Sequence, residues 1–384
     1  QQPIEPPKIQ EIQQISSEQI ATLVEYSIVY DAFKNQGKEE LRQSGLYIWV
    51  VKPTGEVAFK QVDLKSLKTP LADLVTTSRN SIGVRGRGLG AVQRVDSANQ
   101  TEQLQQLHKL LIEPIARFLP TNPSDRIIFI PQNELFLVPF PALKDASGKY
   151  LIEKHTILTA PAIQVLELTR KQRQHVAGKG VLVVGNPTMP SISPLTGQPP
   201  QQLPSLPGAE AEANAIASLL NTKAITGNQA TKTTVMQQMQ KAKIIHLATH
   251  GLLDDFKGQG VPGAIALAPS GGDNGLLTSS EILDMKLNAD LVVLSACDTG
   301  RGTITGDGVI GLSRSLISAG VPSVIVSLWS VPDAPTASLM TEFYTQMRQN
   351  PDKATALRQA MLTTMKQHPN PKDWAAFTLI GEAE

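Results

Sequence analysis

The chain has 384 residues, enough for two domains with separate cores, and its net charge of +1 gives no electrostatic reason to expect nucleic acid or an acidic membrane surface as a partner. A hydrophobic content of 41% with 18% charged residues is typical of a globular protein. The single cysteine, Cys297, excludes an internal disulfide framework and a cysteine-built zinc site. No apolar run reaches the roughly 20 residues of a membrane-spanning helix and no signal peptide is evident, so we expect a cytoplasmic protein.

The first half of the chain mixes strand and helix patterns. Residues 1–20 open on a Pro-rich segment and are predicted to be a linker. An amphipathic stretch predicts a helix over about 101–118. Short apolar runs predict strands at 26–30, 45–51, 56–59, 126–131 and 134–139.

The second half alternates regularly between strands and helices after a polar stretch at 170–179. We therefore predict an N-terminal α/β domain over 21–175 and a second domain over 176–384. Strands are predicted at 181–185, 244–249, 264–268, 290–296, 323–329 and 374–380. Helices are predicted at 208–220, 231–242, 279–286, 307–319, 334–348 and 353–367. This alternation predicts an α/β fold with a mostly parallel sheet flanked by helices.

Cys297 and His250 each stand at the end of a predicted buried strand. An apolar run over 290–296 ends at Cys297 and precedes the Gly-rich segment 298–302, while a second run over 244–249 ends at His250. The carboxyl ends of parallel strands meet at one edge of an open α/β sheet, where such folds place their sites. A thiol beside an imidazole is the minimal activated nucleophile, so we predict that Cys297 and His250 form a catalytic dyad.

Each residue of the pair also has a plainer interpretation. A lone cysteine is most often a small buried hydrophobic side chain, and a strand-end histidine can be merely hydrogen-bonded. Two features favour a catalytic role. The helix at 307–319 would point its N-terminal N–H groups toward Cys297. Gly251 has no side chain, so a substrate carbonyl can approach its backbone N–H. We therefore predict an oxyanion hole formed by the N–H groups of Gly251 and Cys297.

Metal and cofactor sites fit the sequence poorly. His246 and His250 have the spacing of a helical zinc site, but four residues of a strand span roughly 13 Å at about 3.3 Å per residue. His246 is therefore predicted to be a buried strand residue. The Gly-rich segment 83–90 lacks the preceding strand of a dinucleotide-binding motif, and neither a P-loop nor the nucleophile elbow of a serine hydrolase occurs. We predict no cofactor and no metal.

The two strand ends belong to a longer set of motifs. The central ones are His246-Leu247-Ala248-Thr249-His250-Gly251 and Leu294-Ser295-Ala296-Cys297-Asp298-Thr299-Gly300, and others lie at 138–143, 150–153, 306–314, 327–331, 336–340 and 374–381. In combination these motifs resemble the CHAT family of caspase-like cysteine peptidases over roughly residues 70–384. The chain departs from the family at Pro332, where members commonly carry an acidic residue.

The resemblance implies a caspase/separase-like fold with His250 as the base and Cys297 as the nucleophile. It also implies that the N-terminal half is an inactive, pseudo-caspase-like scaffold. Similar proteins are bacterial relatives of caspases and separase and are often joined to tetratricopeptide repeats. The expected partners are therefore a protein or peptide substrate and an activator or upstream fused repeat domain, with neither nucleic acid nor a membrane.

Four further residues are predicted to contact the substrate. The strand around Ser327 and Trp329 is a candidate to pair with an extended substrate and to line its pocket. The carboxylates of Asp298 and Asp333 would favour a basic residue at the cleavage position, although both could instead be surface or helix-capping groups.

The sequence therefore predicts a cysteine endopeptidase that acts through a thioester acyl-enzyme. A catalytically silent CHAT scaffold or interaction module in a signalling assembly is an alternative, as is another thiol enzyme such as an acyltransferase or a ligase. The intact pair of His250 and Cys297 favours the peptidase.

Overall fold

The computed structural model describes residues 5–84, 97–193, 197–252, 263–295 and 306–384. The chain divides into two compact units, and the division falls between Glu167 and Leu168, inside the helix Ile163–Arg173. The boundary predicted from the sequence, between residues 175 and 176, lies just beyond this helix. Within the described ranges, no helix has both the length and the apolar composition needed to cross a membrane.

The first unit contains a mixed sheet and the helices that follow its strands. Its strands are β1 (Ala21–Asn35), β2 (Lys38–Val51), β3 (Val57–Asp63), β4 (Arg126–Ile130) and β5 (Thr156–Thr159). Its helices are α1 (Ile9–Gln19), α2 (Leu71–Ser81), α3 (Ser97–Leu111), α4 (Leu151–Lys154) and the start of α5 (Ile163–Arg173). Short 3-10 helices occur at Glu113–Phe118, Asn133–Leu137 and Phe140–Ala142.

The sheet of the first unit has the order β3-β2-β1-β4-β5. β1, β2 and β3 form an antiparallel meander, whereas β4 is parallel to both β1 and β5. The aromatic ring of Tyr26 packs in the core, with ring centroids 6.4 Å from Phe129 and 6.1 Å from Phe140. On the other face of the same sheet, Trp49 of β2 packs against Phe59 and remains 41% exposed.

Helix α1 lies within the stretch that the sequence predicted to be a linker. Ile15 and Ser16 are buried, and the Lys8 N–H donates to the Glu11 carboxylate at the start of the helix. The apolar spacing that ends in Ile15 gives this segment a buried face, so it forms a helix of the first unit instead of a free linker. The linker prediction for residues 1–20 is therefore wrong over Ile9–Gln19.

Two other predicted elements of the first half differ from the structure. The segment 134–139 forms the 3-10 helix Asn133–Leu137 rather than a strand, because Pro139 has no N–H to donate to a strand partner. The helix predicted over 101–118 ends at Leu111 and continues as a 3-10 helix that carries Pro114 in its first turn. The strands predicted at 45–51 and 56–59 overlap β2 and β3, which pair antiparallel as a hairpin.

The second unit is an α/β layer structure built around a mostly parallel sheet. Its strands are β6 (Val181–Pro187), β7 (Ser191–Ile192), β8 (Gln201–Gln202), β9 (Ile225–Gly227), β10 (Ile244–Ala248), β11 (Gly251–Leu252), β12 (Ala264–Ala266), β13 (Leu276–Thr278), β14 (Leu291–Ser295), β15 (Ser323–Ser327) and β16 (Phe377–Gly381). Its helices are α6 (Pro207–Leu219), α7 (Lys232–Met239), α8 (Ser279–Leu283), α9 (Gly306–Ser318), α10 (Asp333–Gln349), α11 (Lys353–Gln367) and α12 (Pro371–Trp374).

The main sheet of the second unit has the order β16-β15-β14-β10-β6-β9. All neighbouring strands are parallel except β16, which is antiparallel to β15. Helix α9 joins the parallel neighbours β14 and β15, as the sequence predicted. The predicted α/β class, with helices flanking a mostly parallel sheet, is confirmed.

Helix α6 lies unusually close to the carboxyl end of β6. Gly185 is buried there, and a Cβ atom added to it would overlap the Ala213 methyl group and lie 3.0 Å from the Ala209 carbonyl oxygen. The glycine therefore lets the helix backbone approach the strand, which places the first turn of α6 at the carboxyl edge of the sheet.

We expect Gly185→Ala to lower the free energy of unfolding by about 1–3 kcal/mol, because the added methyl group overpacks the contact between β6 and α6. Denaturant unfolding of the purified chain measures the change. Gly45→Ala is a matched control, since Gly45 is also a strand glycine but its nearest contact would be 3.5 Å away. An unfolding free energy that is equally insensitive to both substitutions would contradict the close approach.

Candidate active site

His250 lies two residues beyond the end of β10, and its side chain is 4% exposed. β10 pairs in parallel with β14, and the register sets Ala248 opposite Ser295, the last residue of β14. The strands predicted over 244–249 and 290–296 are therefore parallel neighbours, while the dyad of His250 and Cys297 stays a prediction. Cys297 itself, with its neighbour Asp298, lies outside the described residues.

The imidazole of His250 is held by a backbone carbonyl. Its Nε2 atom lies 2.8 Å from the Pro204 carbonyl oxygen. Because a carbonyl oxygen only accepts, Nε2 must carry the proton of this hydrogen bond. In the neutral ring the other nitrogen, Nδ1, is then the basic one, so the structure fixes the tautomer of His250.

An apolar cluster anchors the chain on both sides of this hydrogen bond. Leu203, which precedes Pro204, and Leu252, which follows Gly251, belong to the same buried group. The other members are Met189, Ile192, Ala264, Ala266 and Leu276, with Leu206 packed against them. The carbonyl and the histidine are therefore held by chain segments that share one small core.

Gly251 begins β11, which pairs antiparallel with β12. Gly251 lies opposite Ile265, while the neighbouring Ala266 N–H donates to the His250 carbonyl oxygen at 3.0 Å. This pattern makes Gly251 and Ile265 a pair of the non-hydrogen-bonded kind. The N–H of Gly251 therefore points away from β12. A group on the other side of β11 could accept a hydrogen bond from it.

His246 lies in the middle of β10 and is fully buried, as predicted. Its Nε2 donates to the Glu212 carboxylate at 2.8 Å, and its Nδ1 lies 2.8 Å from the Tyr344 hydroxyl. Burial, together with the neighbouring Glu212 carboxylate, raises the pKa of Tyr344 well above its ordinary value, so this hydroxyl keeps the proton that it donates. The three side chains join β10 to α6 and α10.

The structure buries the two strand residues predicted to contact substrate. Ser327 ends β15 with no exposed surface, and Trp329 is 1% exposed, with its indole Nε1 donating to the Lys372 carbonyl at 2.9 Å. Between them, the Leu328 N–H donates to the Ala376 carbonyl oxygen. The indole ring of Trp329 is thus a packing group in this structure, and the Leu328 N–H already has its acceptor.

Asp333 is exposed and begins α10. A Cβ atom added to Gly208 would overlap the Asp333 carboxylate, so this carboxylate lies directly over the first turn of α6. Negative charge is favourable at that end of a helix. The same short segment, 204–208, therefore contacts both His250 and Asp333.

Two contributors to this edge of the sheet were not identified from the sequence. The Pro204 carbonyl is a backbone group, and no residue type signals that it accepts a hydrogen bond. Asn186 carried a weak signal, since it follows the predicted strand 181–185 at the same carboxyl edge; its side chain accepts the Leu206 N–H at 2.8 Å. Over the described ranges, no group of three or more His, Cys, Asp and Glu side chains is arranged to hold a metal ion.

The sequence model of the CHAT domain family matches residues 101–382 of this chain. Two curated relatives are named tetratricopeptide repeat protein 28, one from Mus musculus and one from Homo sapiens. They are 28% identical over alignments of 343 and 351 positions that cover 77% and 79% of this chain. The chain spans only 14% of the length of either relative.

A solved structure with a similar fold is the separase–securin complex of Saccharomyces cerevisiae. The two folds superpose with a TM-score of 0.51 and 12% sequence identity, over 97% of this chain and 30% of the solved chain. A second structure of the same complex gives a TM-score of 0.50 at the same identity. This likeness covers 97% of the chain and concerns the fold alone.

We expect Tyr344→Phe to lower the free energy of unfolding by about 1–3 kcal/mol, because it leaves the buried Nδ1 of His246 without its hydrogen-bond donor. Denaturant unfolding monitored by circular dichroism measures the loss. Tyr30→Phe removes a hydroxyl from a side chain that is 40% exposed and serves as the control. Equal stabilities of the two variants would show that the Tyr344 hydroxyl adds nothing to the buried network.

Proposed function

The chain belongs to the CHAT domain family and has the caspase-like fold of cysteine peptidases, and from this premise we propose that it is a cysteine endopeptidase with His250 as base and Cys297 as nucleophile. The observation that carries the proposal is the hydrogen bond from His250 Nε2 to the Pro204 carbonyl. It leaves Nδ1 as the basic nitrogen of a buried imidazole at the carboxyl edge of the sheet.

The strand register supports the pairing of the two residues. Ala248 and Ser295 are opposite each other on parallel neighbours, and His250 and Cys297 each follow two residues later. Equal sequence distances from one register pair favour a thiol and an imidazole at the same edge of the sheet.

The proposed reaction uses only groups of this chain, the substrate and water. His250 takes the thiol proton of Cys297 at Nδ1, and the thiolate attacks the carbonyl carbon of the peptide bond. The N–H groups of Gly251 and Cys297 stabilise the resulting oxyanion. The imidazolium then protonates the leaving amine, which departs and leaves a thioester. Water, deprotonated by the same imidazole, hydrolyses the thioester and regenerates the thiol.

The substrate is proposed to be an extended polypeptide with a basic residue at the cleavage position. The exposed carboxylate of Asp333 lies against Gly208, in the same segment 204–208 whose Pro204 carbonyl holds the proposed base. Asp298, the neighbour of the nucleophile, would add a second negative charge. The segment around Ser327 and Trp329 is the proposed partner of the extended substrate, through backbone groups other than the Leu328 N–H, which is bonded to Ala376.

We expect Cys297→Ala to abolish peptide cleavage, because the acyl-enzyme cannot form without its thiol. We expect His250→Ala to lower cleavage by about a hundredfold to ten-thousandfold, the usual range for the loss of a positioned acid–base group. Cleavage of a peptide library, read by mass spectrometry, measures the effect. A peptide-based electrophile should label the wild type at Cys297 and leave Cys297→Ala unlabelled. His175→Ala, which changes an exposed histidine, is the control.

Two results would overturn the peptidase. Absence of both cleavage and labelling in the wild type would favour the silent scaffold. Labelling of Cys297 accompanied by transfer of the acyl group to an amine, without net hydrolysis, would favour an acyltransferase or a ligase.

We expect Asp333→Asn to lower kcat/KM about fivefold for peptides with Arg or Lys at the cleavage position, since an exposed ion pair contributes up to about 1 kcal/mol. Peptides with a neutral residue there should be cleaved at an unchanged rate. Asp284→Asn, at an exposed carboxylate that follows α8, is the control. An equal loss for basic and neutral peptides would assign Asp333 to the support of α6 rather than to specificity.

A further inference from the structure

We propose that Asn186 is a positioning residue for His250. Its side-chain amide holds the segment 204–206 in place, and this segment aims the Pro204 carbonyl that keeps His250 protonated at Nε2. The catalytic consequence rests on the proposed function, whereas the effect on the imidazole does not.

Both the oxygen and the nitrogen of the Asn186 side-chain amide form hydrogen bonds to residues 205–210. Its Oδ1 accepts the Leu206 N–H at 2.8 Å, and Ser205 Oγ lies 3.3 Å from the same oxygen. Its Nδ2 lies 3.2 Å from the Glu210 carboxylate and 3.2 Å from Ser205 Oγ. A backbone N–H can only donate and a carboxylate can only accept, so these partners fix which end of the amide faces which group.

An asparagine suits this position for two further reasons. Its φ angle is 44°, in the left-handed region that asparagine tolerates better than most residues. An aspartate would keep the acceptor for Leu206 but would set a second carboxylate against Glu210. The position thus requires a short side chain with an acceptor on one side and a donor on the other.

The geometry links the amide to the imidazole through a short piece of chain. Pro204 is two residues before Leu206, and its carbonyl receives the Nε2–H of His250 at 2.8 Å. On the preceding side the segment is held by Leu203, whose side chain is buried in the apolar cluster and whose N–H donates to the Pro190 carbonyl oxygen at 2.9 Å. These contacts fix the chain as far as Leu203, and the hydrogen bonds of Asn186 to Ser205 and Leu206 fix the peptide groups that follow the Pro204 carbonyl.

The first test measures the imidazole directly and needs no catalysis. The full chain, carrying Cys297→Ala and labelled with ¹⁵N-histidine, is examined by NMR, with the His250 signals assigned by their loss in His250→Ala. We expect a single tautomer protonated at Nε2 in this background and a mixture of tautomers when Asn186→Ala is added. Asn228→Ala removes an exposed asparagine that accepts from Thr188 and should change nothing.

A paired substitution separates positioning from general damage. Asn186→Asp should disturb the tautomer as Asn186→Ala does, and adding Glu210→Gln should restore it, because the amide and the carboxylate then exchange places. If Asn186→Ala does not fold, the comparison of Asn186→Asp with the paired variant still tests whether Asn186 positions His250.

The second test measures turnover. We expect Asn186→Ala to lower kcat about tenfold to a hundredfold, as a misplaced catalytic group does. KM should stay within about twofold, since no substrate contact is removed. The paired variant should recover most of kcat.

An unchanged Nε2 tautomer in Asn186→Ala overturns the proposal, as does failure of the paired variant to restore it. If the wild type cleaves no peptide, the proposed function fails, but the tautomer measurement still decides the role of Asn186.

Discussion

The segment 204–212, which leads into α6 and includes the first part of that helix, is the part of the chain on which the candidate active site depends. Within this segment the Pro204 carbonyl accepts from His250, and the Leu206 N–H donates to Asn186. Gly208 leaves room for the Asp333 carboxylate, and the Glu212 carboxylate accepts from His246. These contacts coexist only because Gly185 lets the helix lie against the end of β6. The close contact of Gly185 with α6 therefore affects both the orientation of His250, the proposed base, and the position of the Asp333 carboxylate.

His246 in the middle of β10 and His250 beyond its carboxyl end differ in their partners because they differ in position along the chain. His246 has both ring nitrogens bonded to buried partners on α6 and α10, so it joins the layers on the two sides of β10. His250 lies beyond the strand end and bonds through Nε2 to a backbone carbonyl. A carbonyl cannot take up or release a proton, which makes it a suitable partner for a ring that must exchange one.

The sequence was most informative where a local pattern determines a structure. Alternating apolar runs predicted the parallel order around β10 and β14, because buried strands with helical connections have few other arrangements. It was least informative where backbone groups act. The Pro204 carbonyl has no signature in residue type, and the helix Ile9–Gln19 was hidden behind a Pro-rich start. The burial of Trp329 was missed as well, since an aromatic side chain beside a strand end fits a pocket wall and a core equally well.

The three tryptophans are divided between the two units in a way that has a spectroscopic consequence. Trp49 in the first unit is 41% exposed, whereas Trp329 and Trp374 in the second unit are 1% and 0% exposed. An aqueous quencher such as acrylamide will reach the first residue and not the other two, whose emission will lie at shorter wavelength. Intrinsic fluorescence thus reports the loss of structure in each unit separately, without any label attached to the chain.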